Sequence, residues 1–355
     1  MNQEWKAFLQ ENDAKFVIVS EEGSETELLA YFANPENETQ VSSQDVLLCN
    51  PSERGLLKVT GADAESFLQN QLTNDIRNVT DTSHQASAWC SPKGRIIANF
   101  RIFKRDEAFY LALSRDLIEH VMKKLRMYVM MSKVVIEDVS DSTVHFSFAG
   151  KNADVLIQDM LGLSAVDTDT IQHNTISLLR SVISEENNST RFDIFAEDIN
   201  EAKTLWDDCK KVASPVSGTG TRYLNIISGS AEITAESSEA WIPQMVNYIH
   251  LNGVDFKKGC YPGQEVVARL NYLGKTKRRM YRLEIDTSEL PATGSVIKSD
   301  KDAEAGKILN AVVNAAGKVD ALAVLKIADA LNPLTLAAND ASITLLDLPY
   351  SVDDN

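Results

Sequence analysis

A strand–strand–helix pattern occurs twice in this chain, and that repetition limits the folds the chain can adopt. Strand-type and amphipathic helical runs follow in the same order at 96–103, 109–114 and 116–127, and again at 177–183, 191–195 and 202–212. The two rounds share this pattern but no sequence identity. The alternation predicts two related α+β units rather than one long sheet.

After residue 274 the sequence changes to short strand-type runs separated by Gly, Asn and Asp turns. This spacing predicts a small β-barrel with strands at 279–285, 295–298, 306–313, 321–327 and 342–345. A chain of 355 residues exceeds what one hydrophobic core usually supports, so we expect several compact units. The predicted units are an N-terminal extension at 1–44, an α+β unit at 45–274 and a barrel at 275–355.

The predicted N-terminal extension has little regular structure of its own. Its pattern indicates a helix at 4–11 and a strand at 15–19, followed by polar loop residues as far as residue 44.

The charge of the chain is unevenly distributed. A formal net charge of −16 argues against broad, nonspecific adhesion to nucleic acid. Between Asp255 and Arg279, however, seven basic residues face two acidic ones. One interpretation is a solvated face beside a strand, and the other is an anion site that suits a polyglutamylated folate tail or an RNA backbone. The anion-binding candidates are Lys257, Lys275, Lys277, Arg278 and Arg279.

Composition also bears on the cellular compartment. No apolar run approaches the ~20 residues that span a bilayer, and the N-terminus lacks a basic region followed by an apolar stretch. We therefore expect a cytoplasmic protein with no membrane partner. The four cysteines, Cys49, Cys90, Cys209 and Cys260, are far apart, which predicts reduced thiols and no metal site.

The segment 257–265 places Cys260 between two lysines and two glycines, just ahead of a short amphipathic helix that includes Glu265. Lys257, Lys258 and the positive end of that helix favour a thiolate, and would lower the cysteine pKa from about 8.5 towards neutrality. In this interpretation Lys258 is exposed, so replacing it would slow alkylation without unfolding the protein. The alternative is that Cys260 is a small buried hydrophobe.

The string Lys-Gly-Cys-Tyr-x-Gly-Gln-Glu resembles the signature of the YgfZ family of folate-binding proteins linked to tRNA modification. The stretches 241–247 and 274–279 support the likeness, which extends from about residue 45 to the C-terminus. The matching positions are Lys258, Gly259, Cys260, Tyr261, Gly263, Gln264 and Glu265, with Arg269 shortly after them.

The resemblance implies an α+β fold like that of glycine-cleavage aminomethyltransferases. Such a fold has two interleaved α+β subdomains that form a folate-binding unit, followed by a small C-terminal β-barrel. It also implies an accessory factor that supports assembly or repair of [4Fe–4S] enzymes, including those that modify tRNA. In that role Cys260 is the functional thiol, and the partners are iron–sulfur client enzymes together with folate or tRNA.

Tetrahydrofolate is the cofactor that the resemblance implies, but the residues that anchor it in relatives are replaced here. Ile227 lies where a glutamate would hold the pterin, and Arg54 and Thr221 lie where relatives have tryptophans. We therefore expect folate binding weaker than micromolar, which Ile227→Glu would tighten. The folate-binding residues are otherwise unassigned, with Gln244 and Asn247 as candidates.

Two other functions remain open from the sequence. A folate-dependent aminomethyl transferase would need the acidic pair of those enzymes, but the corresponding stretch at 93–99 contains no acidic residue. A noncatalytic tRNA-binding module would use the basic residues between 257 and 279.

Overall fold

The computed structural model describes residues 1–21, 24–130, 132–185, 187–274 and 276–352. The N-terminal elements are α1 (Gln3–Glu11), β1 (Ala14–Glu21), β2 (Ser24–Phe32), α2 (Glu36–Thr39) and a 3₁₀ turn at Val41–Ser43. The elements of the first half of the α+β unit are β3 (Val46–Cys49), β4 (Arg54–Thr60), α3 (Ala64–Gln71), a 3₁₀ turn at Ile76–Asn78, β5 (Gln85–Cys90), β6 (Ile96–Arg105), β7 (Ala108–Ser114), a 3₁₀ turn at Arg115–Leu117, α4 (Ile118–Val129) and β8 (Val135–Asp138).

The rest of the chain contains the second half of the α+β unit and the C-terminal strands. Its α+β elements are β9 (Val144–Lys151), α5 (Ala153–Leu161), β10 (Thr170–His173), β11 (Ile176–Ser184), β12 (Ser189–Ala196), α6 (Ile199–Lys210), β13 (Ser214–Val216), α7 (Gly218–Ile227), 3₁₀ turns at Ala235–Ser237 and Pro243–Val246, and α8 (Gln264–Leu273). The last strands are β14 (Arg278–Ile285), β15 (Val296–Ser299), β16 (Gly306–Val313), β17 (Val319–Lys326), β18 (Leu334–Leu336) and β19 (Ser342–Leu346).

Two sheets form the α+β unit, and their strands are interleaved in sequence. The first sheet has the order β5-β6-β7-β4-β8, and the second has the order β10-β11-β12-β9-β3-β13. Strand β3 precedes the whole first sheet in the chain but pairs with β9 and β13 of the second. The predicted architecture of two interleaved α+β subdomains is therefore confirmed.

The two sheets face each other, and helices cover their outer faces. Phe103 of the first sheet stacks on Phe195 of the second at a ring separation of 4.9 Å. Alternate residues of each strand point to opposite faces, so the other side of the first sheet packs against α3 and α4. The outer side of the second sheet packs against α1, α5 and α6.

The N-terminal residues belong to the core of the second sheet rather than to a separate extension. Trp5 and Leu9 of α1 are buried, and Trp5 stacks on Phe146 and meets Trp206 edge-on. The segment predicted as a polar loop contains β2 and α2, and β2 buries Leu29 and Phe32. Burial of large aromatic side chains decides this arrangement, and their contacts are too distant in sequence to be read locally.

The predicted C-terminal barrel is confirmed as a closed barrel with strand order β14-β17-β16-β15-β18-β19. Its interior is filled by small and branched side chains such as Leu283, Ile297 and Ala321. Outward-facing barrel residues, among them Met280 and Leu322, pack in the same hydrophobic core as the first sheet and its helices. This packing attaches the barrel to the α+β unit. Within the described ranges, no helix is both long enough and apolar enough to cross a membrane.

Candidate functional site

Cys260 is exposed, whereas Cys49, Cys90 and Cys209 are buried with at most 1% of their surface accessible. Burial raises the pKa of the Cys90 thiol to about 12, and it raises the pKa values of Cys49 and Cys209 as well. The three buried thiols also lie in three different cores. Cys260 is therefore the cysteine that another molecule can reach.

Lys258 is buried with 6% of its surface exposed, which contradicts the expectation of an exposed lysine beside the thiol. Its ammonium donates to the carbonyl oxygens of Gln69 at 2.6 Å, Leu72 at 2.5 Å and Asn74 at 3.1 Å. These carbonyls lie at and beyond the C-terminus of α3, where a helix leaves acceptors unpaired and where its dipole favours a cation.

The three carbonyl oxygens use all the hydrogen-bond donors of the Lys258 ammonium. Burial lowers its pKa to about 8, which still leaves it mostly protonated at pH 7. Three acceptors use all three of its N–H donors, so Lys258 fastens the segment to α3 and has no donor left for the thiol.

Tyr261, on the other side of Cys260, is also buried, with 6% of its surface exposed. The Lys258 Nζ lies 5.3 Å from the centre of its ring, within the range of a cation–π contact. Burial raises the pKa of its phenol, whose oxygen has no hydrogen-bond partner among the residues that the structure describes. The exposed thiol is thus held between two anchored neighbours.

Gly263 fixes the start of α8 against the turn formed by residues 91–94. Its φ of +80° lies in the left-handed region, and a Cβ there would stand 2.4 Å from the Ser91 carbonyl oxygen. Only glycine combines this backbone angle with so close an approach. Gly259 differs, because an added Cβ would meet nothing within 4 Å. The space next to Cys260 is therefore open.

The remaining signature residues lie on α8. The side-chain amide of Gln264 approaches the Gly259 carbonyl at 3.5 Å, which is the limit of a hydrogen bond. Glu265 and Arg269 are exposed, while Val267 is fully buried under the helix. The signature thus combines residues that hold the segment with residues that face solvent.

The structure divides the basic candidates between two places. Lys257 is exposed next to Cys260, whereas Lys277, Arg278 and Arg279 lie at the start of the barrel. The Arg279 guanidinium donates to the Val352 carbonyl at 3.2 Å and lies over the Tyr281 ring. Lys275 lies outside the described residues.

The folate candidates Gln244 and Asn247 are buried and bridge neighbouring elements. The Gln244 amide donates to the Val267 carbonyl of α8 at 2.7 Å, and the Asn247 amide donates to the Met280 carbonyl of β14 at 3.0 Å. Each therefore has a structural contact, although their carbonyl oxygens have no partner among the described residues.

Charged side chains from both sheets meet between them, a feature that the sequence analysis missed. In β12, Phe192 and Ile194 face the outer core, so Arg191 and Asp193 point towards the first sheet. By the same alternation, Arg101 of β6 points towards the second sheet. We call this set the inter-sheet cluster, and its members are Arg54, Arg101, His145, Arg191, Asp193 and Glu232.

Most members of the inter-sheet cluster are paired. Asp193 accepts hydrogen bonds from Arg191 at 2.7 Å and from Ser147 at 2.6 Å. Burial alone would raise the Asp193 pKa, but Arg191, His145 and Ser147 outweigh burial and hold it well below its ordinary value. Arg54 pairs with Glu232 at 2.6 Å.

The sequence did carry a signal for this cluster. Arg101 interrupts the apolar run of β6, and Arg191 and Asp193 occupy alternate positions of β12 between Phe and Ile residues. Charges at inward positions of apolar strands are unusual and point to a shared polar site.

The residues near Asn225 do not fit the pterin-anchoring role expected of this fold. The Ile227 side chain packs against the apolar cluster that contains Val41 and Leu47, so a glutamate at 227 would enter apolar surroundings. This packing argues against the expectation that Ile227→Glu tightens folate binding. Glu232 supplies a carboxylate near Asn225, but its oxygens contact the Arg54 guanidinium at 2.6 Å and the Asn225 amide at 3.4 Å.

Alkylation of the native protein should distinguish the four cysteines. We expect iodoacetamide at pH 7 to modify Cys260 first, because the other thiols are buried and become reactive only when their cores open. Peptide mass spectrometry after timed quenching measures the four rates. Equal rates for Cys260 and Cys90 would contradict this arrangement, and a sample unfolded in urea supplies the control in which all four react.

Comparison with known proteins places the chain among relatives of matching length. The GCVT N-terminal domain family matches residues 8–183. The tRNA-modifying protein YgfZ of Klebsiella pneumoniae (strain 342) is 31% identical over 304 residues, covering 84% of this chain and 91% of that protein. Its counterpart in Yersinia enterocolitica (serotype O:8 / biotype 1B) is 30% identical over 320 residues, covering 88% and 95%.

A solved structure supports the fold assignment. The glycine cleavage system aminomethyltransferase T of Bartonella henselae superimposes with a TM-score of 0.72 over 98% of this chain and 97% of that one. Its sequence identity is 14%, so the likeness concerns the fold.

Proposed function

Because this chain belongs to the family of tRNA-modifying proteins YgfZ, we propose that it is an accessory factor that supports assembly or repair of [4Fe–4S] enzymes, including those that modify tRNA. The exposed Cys260, held between buried Lys258 and Tyr261, is the observation that carries this proposal.

The proposed role of Cys260 is a transient thiolate contact with a cluster-containing client enzyme. A [4Fe–4S] cluster needs about four cysteine ligands. The other three cysteines are buried in separate cores, so they are unsuited to completing a set with Cys260. This favours a passing interaction with a client over a resident cluster.

The anchored flanks give the thiol a defined position. Lys258 is bonded to three carbonyls, and Gly263 is seated on the turn at 91–94. A nucleophile or ligand held in this way loses little conformational entropy when it meets its partner.

Replacing Cys260 with serine tests the proposal. We expect Cys260→Ser to abolish rescue of the tRNA methylthiolation defect of a strain that lacks this protein, because serine has nearly the same size but offers no thiolate. Methylthiolated nucleosides in digested tRNA would be measured by mass spectrometry. The free energy of unfolding should change by less than about 0.5 kcal/mol, since Cys260 is exposed.

The matched control is Asn271→Ser, an exposed polar position on α8, the helix that follows Cys260, and this variant should retain full rescue. Full rescue by Cys260→Ser would refute the role of the thiol. Loss of rescue together with unfolding would assign Cys260 to packing instead.

For the small ligand, we infer that tetrahydrofolate binds more weakly than micromolar. The support is local: Ile227 packs in an apolar cluster, and both oxygens of Glu232 are engaged by Arg54 and Asn225. Without a free carboxylate in this stretch, the N–H groups of a pterin lose their usual partner.

Aminomethyl transfer receives no support from the stretch at 93–99. Its last residue, Asn99, donates to the Ala231 carbonyl at 2.8 Å and accepts from the Ile233 backbone N–H at 3.0 Å. An amide clamped in this way ties β6 to the 231–233 loop and offers no base for the transfer.

A further inference from the structure

We propose that the exposed face of α8, together with Cys260, is the surface on which a client enzyme docks, and that the docking region of this enzyme has an apolar centre and an acidic rim. The inference rests on the proposed function and adds to it the chemistry of the partner. We call this set the α8 surface, and its members are Lys257, Cys260, Val266, Arg269, Tyr272 and Leu273.

Large apolar side chains are exposed along α8. Val266, Tyr272 and Leu273 keep 41%, 66% and 85% of their surface accessible to solvent. Helical periodicity places Val266 and Leu273 on one face, with Arg269 between them. Single exposed apolar residues are ordinary on a protein surface, but three on a helix of 10 residues form a patch. Such a patch marks an interaction site.

The stretch that leads to the thiol runs beside α8, in the direction opposite to the helix. The Phe256 ring meets the Tyr272 ring edge-on at 5.8 Å, near the C-terminal end of α8. At the N-terminal end, the Gln264 amide approaches the Gly259 carbonyl at 3.5 Å. The exposed Cys260 therefore lies next to α8, and a partner that covers the helix also meets the thiol.

The α8 surface is supported by buried contacts beneath it. Val267 is fully buried, and its carbonyl accepts a hydrogen bond from the Gln244 amide at 2.7 Å. Gly263 packs on the turn at 91–94 at the start of the helix. A surface held in this way needs little ordering when a partner binds, which favours association.

Positive charge surrounds the apolar centre. Lys257 and Arg269 belong to the α8 surface, and Lys93 is exposed on the turn at 91–94. None of these three cations forms an ion pair with a residue that the structure describes. Glu265 is the only acidic residue of α8. Because the whole chain carries a net charge of −16, this local excess of positive charge selects an acidic partner.

These features favour a protein over other occupants. A nucleic-acid backbone would pair with the cations but would leave Val266 and Leu273 exposed, since phosphates offer no apolar contact. A second copy of this chain, related by a two-fold axis, would bring the same cations together. The face is about 15 Å long at 1.5 Å per residue, which suits a small and transient interface.

Purified tRNA methylthiotransferase that holds its [4Fe–4S] cluster is the probe for the α8 surface. We expect it to bind the wild-type protein in biolayer interferometry, with an affinity that falls as ionic strength rises. Replacing both Tyr272 and Leu273 with serine should weaken binding by about 10- to 100-fold, because the apolar area that the partner covers is lost. Arg269→Glu should slow association by about 10-fold at low salt, because it repels an acidic rim.

The matched control replaces both Val155 and Val182 with serine. These valines are 52% and 49% exposed on α5 and β11, whereas α8 packs on the first sheet, so the control should bind the enzyme like the wild type. In the variant that lacks Tyr272 and Leu273, the alkylation rate of Cys260 and the unfolding midpoint should stay close to those of the wild type. These two measurements separate loss of docking from loss of the thiol or the fold.

Several outcomes would overturn this inference. No binding of the enzyme to the wild type, or equal binding to the wild type and the serine double variant, would show that α8 does not dock it. Binding of bulk tRNA in place of the enzyme would assign the surface to nucleic acid. Self-association of the wild type that the double variant loses, without binding of the enzyme, would assign it to a second copy.

The proposed function is tested separately. Full rescue by Cys260→Ser together with intact docking would contradict the proposed function alone. Loss of rescue by Cys260→Ser, with docking unchanged in the serine double variant at 272 and 273, would contradict only the docking surface.

Discussion

Replacing Lys258 with methionine is expected to lower the free energy of unfolding by about 2–4 kcal/mol, despite the position of this lysine in a signature segment next to an exposed thiol. The variant leaves the carbonyl oxygens of Gln69, Leu72 and Asn74 without their donor. Each unsatisfied buried acceptor costs about 1–3 kcal/mol, and relief of the buried charge offsets part of the sum.

Urea unfolding of the wild type and of Lys258→Met measures this difference. The matched control is Lys257→Met, one residue earlier and exposed, which should change stability by less than about 0.5 kcal/mol. Equal stabilities of the two variants would show that the hydrogen bonds from Lys258 to the C-terminal end of α3 do not contribute to the free energy of unfolding.

The pH dependence of the Lys258 effect has a definite sign. The pKa of Lys258 is about 8 in the folded protein against an ordinary value of 10.5. Between these values the unfolded state holds more protons than the folded state, so folding stability rises with pH. The wild type should therefore gain stability relative to Lys258→Met as the pH rises from 8 towards 10.5.

Replacing Asp193 with asparagine should lower the free energy of unfolding by about 3–5 kcal/mol, because removing one partner of a buried ion pair leaves the other uncompensated. The change keeps the shape of the side chain but leaves Arg191 without the carboxylate with which it is paired. Denaturant unfolding at pH 7 measures the loss.

The free energy of unfolding at acidic pH provides a second measurement for Asp193→Asn. The pKa of Asp193 lies well below its ordinary value of 3.8, so its contribution to stability is complete above that value and is lost as the pH falls further. The difference between wild type and variant should shrink below about pH 4.

The control for Asp193 is Asp208→Asn, which breaks an exposed ion pair with Lys211. Exposed pairs contribute only about 0–1 kcal/mol, so this variant should resemble the wild type. A loss in Asp193→Asn no greater than in this control would contradict the view that the inter-sheet cluster is a buried ionic network.

Elements with strong local patterns could be predicted from the sequence. The helix predicted at 116–127 corresponds to α4 (Ile118–Val129), and the strand predicted at 306–313 matches β16 (Gly306–Val313). Both have a clear apolar period and a turn signal at each end. The helix α7 (Gly218–Ile227) was not predicted, because its first turn contains Gly218 and Gly220, which have low helix propensity.

Glycine at 220 is instead required by tertiary packing. A Cβ there would stand 2.5 Å from the Cys49 sulfur of β3, so α7 approaches the second sheet closely only with glycine at this position. Strand β18 also escaped prediction, since its 3 residues are too few to show alternation.

The sequence by itself determined the two α+β rounds, the barrel and the segment around Cys260, because each depends on residues that are neighbours in the chain. Only the tertiary structure decided that Lys258 is buried and that Arg101, Arg191 and Asp193 share one space. Lys258 meets carbonyls more than 180 residues earlier in the chain, and Arg101 faces a strand about 90 residues later. Local patterns give the face on which a side chain lies, but its partner depends on which distant strands and helices pack against that face.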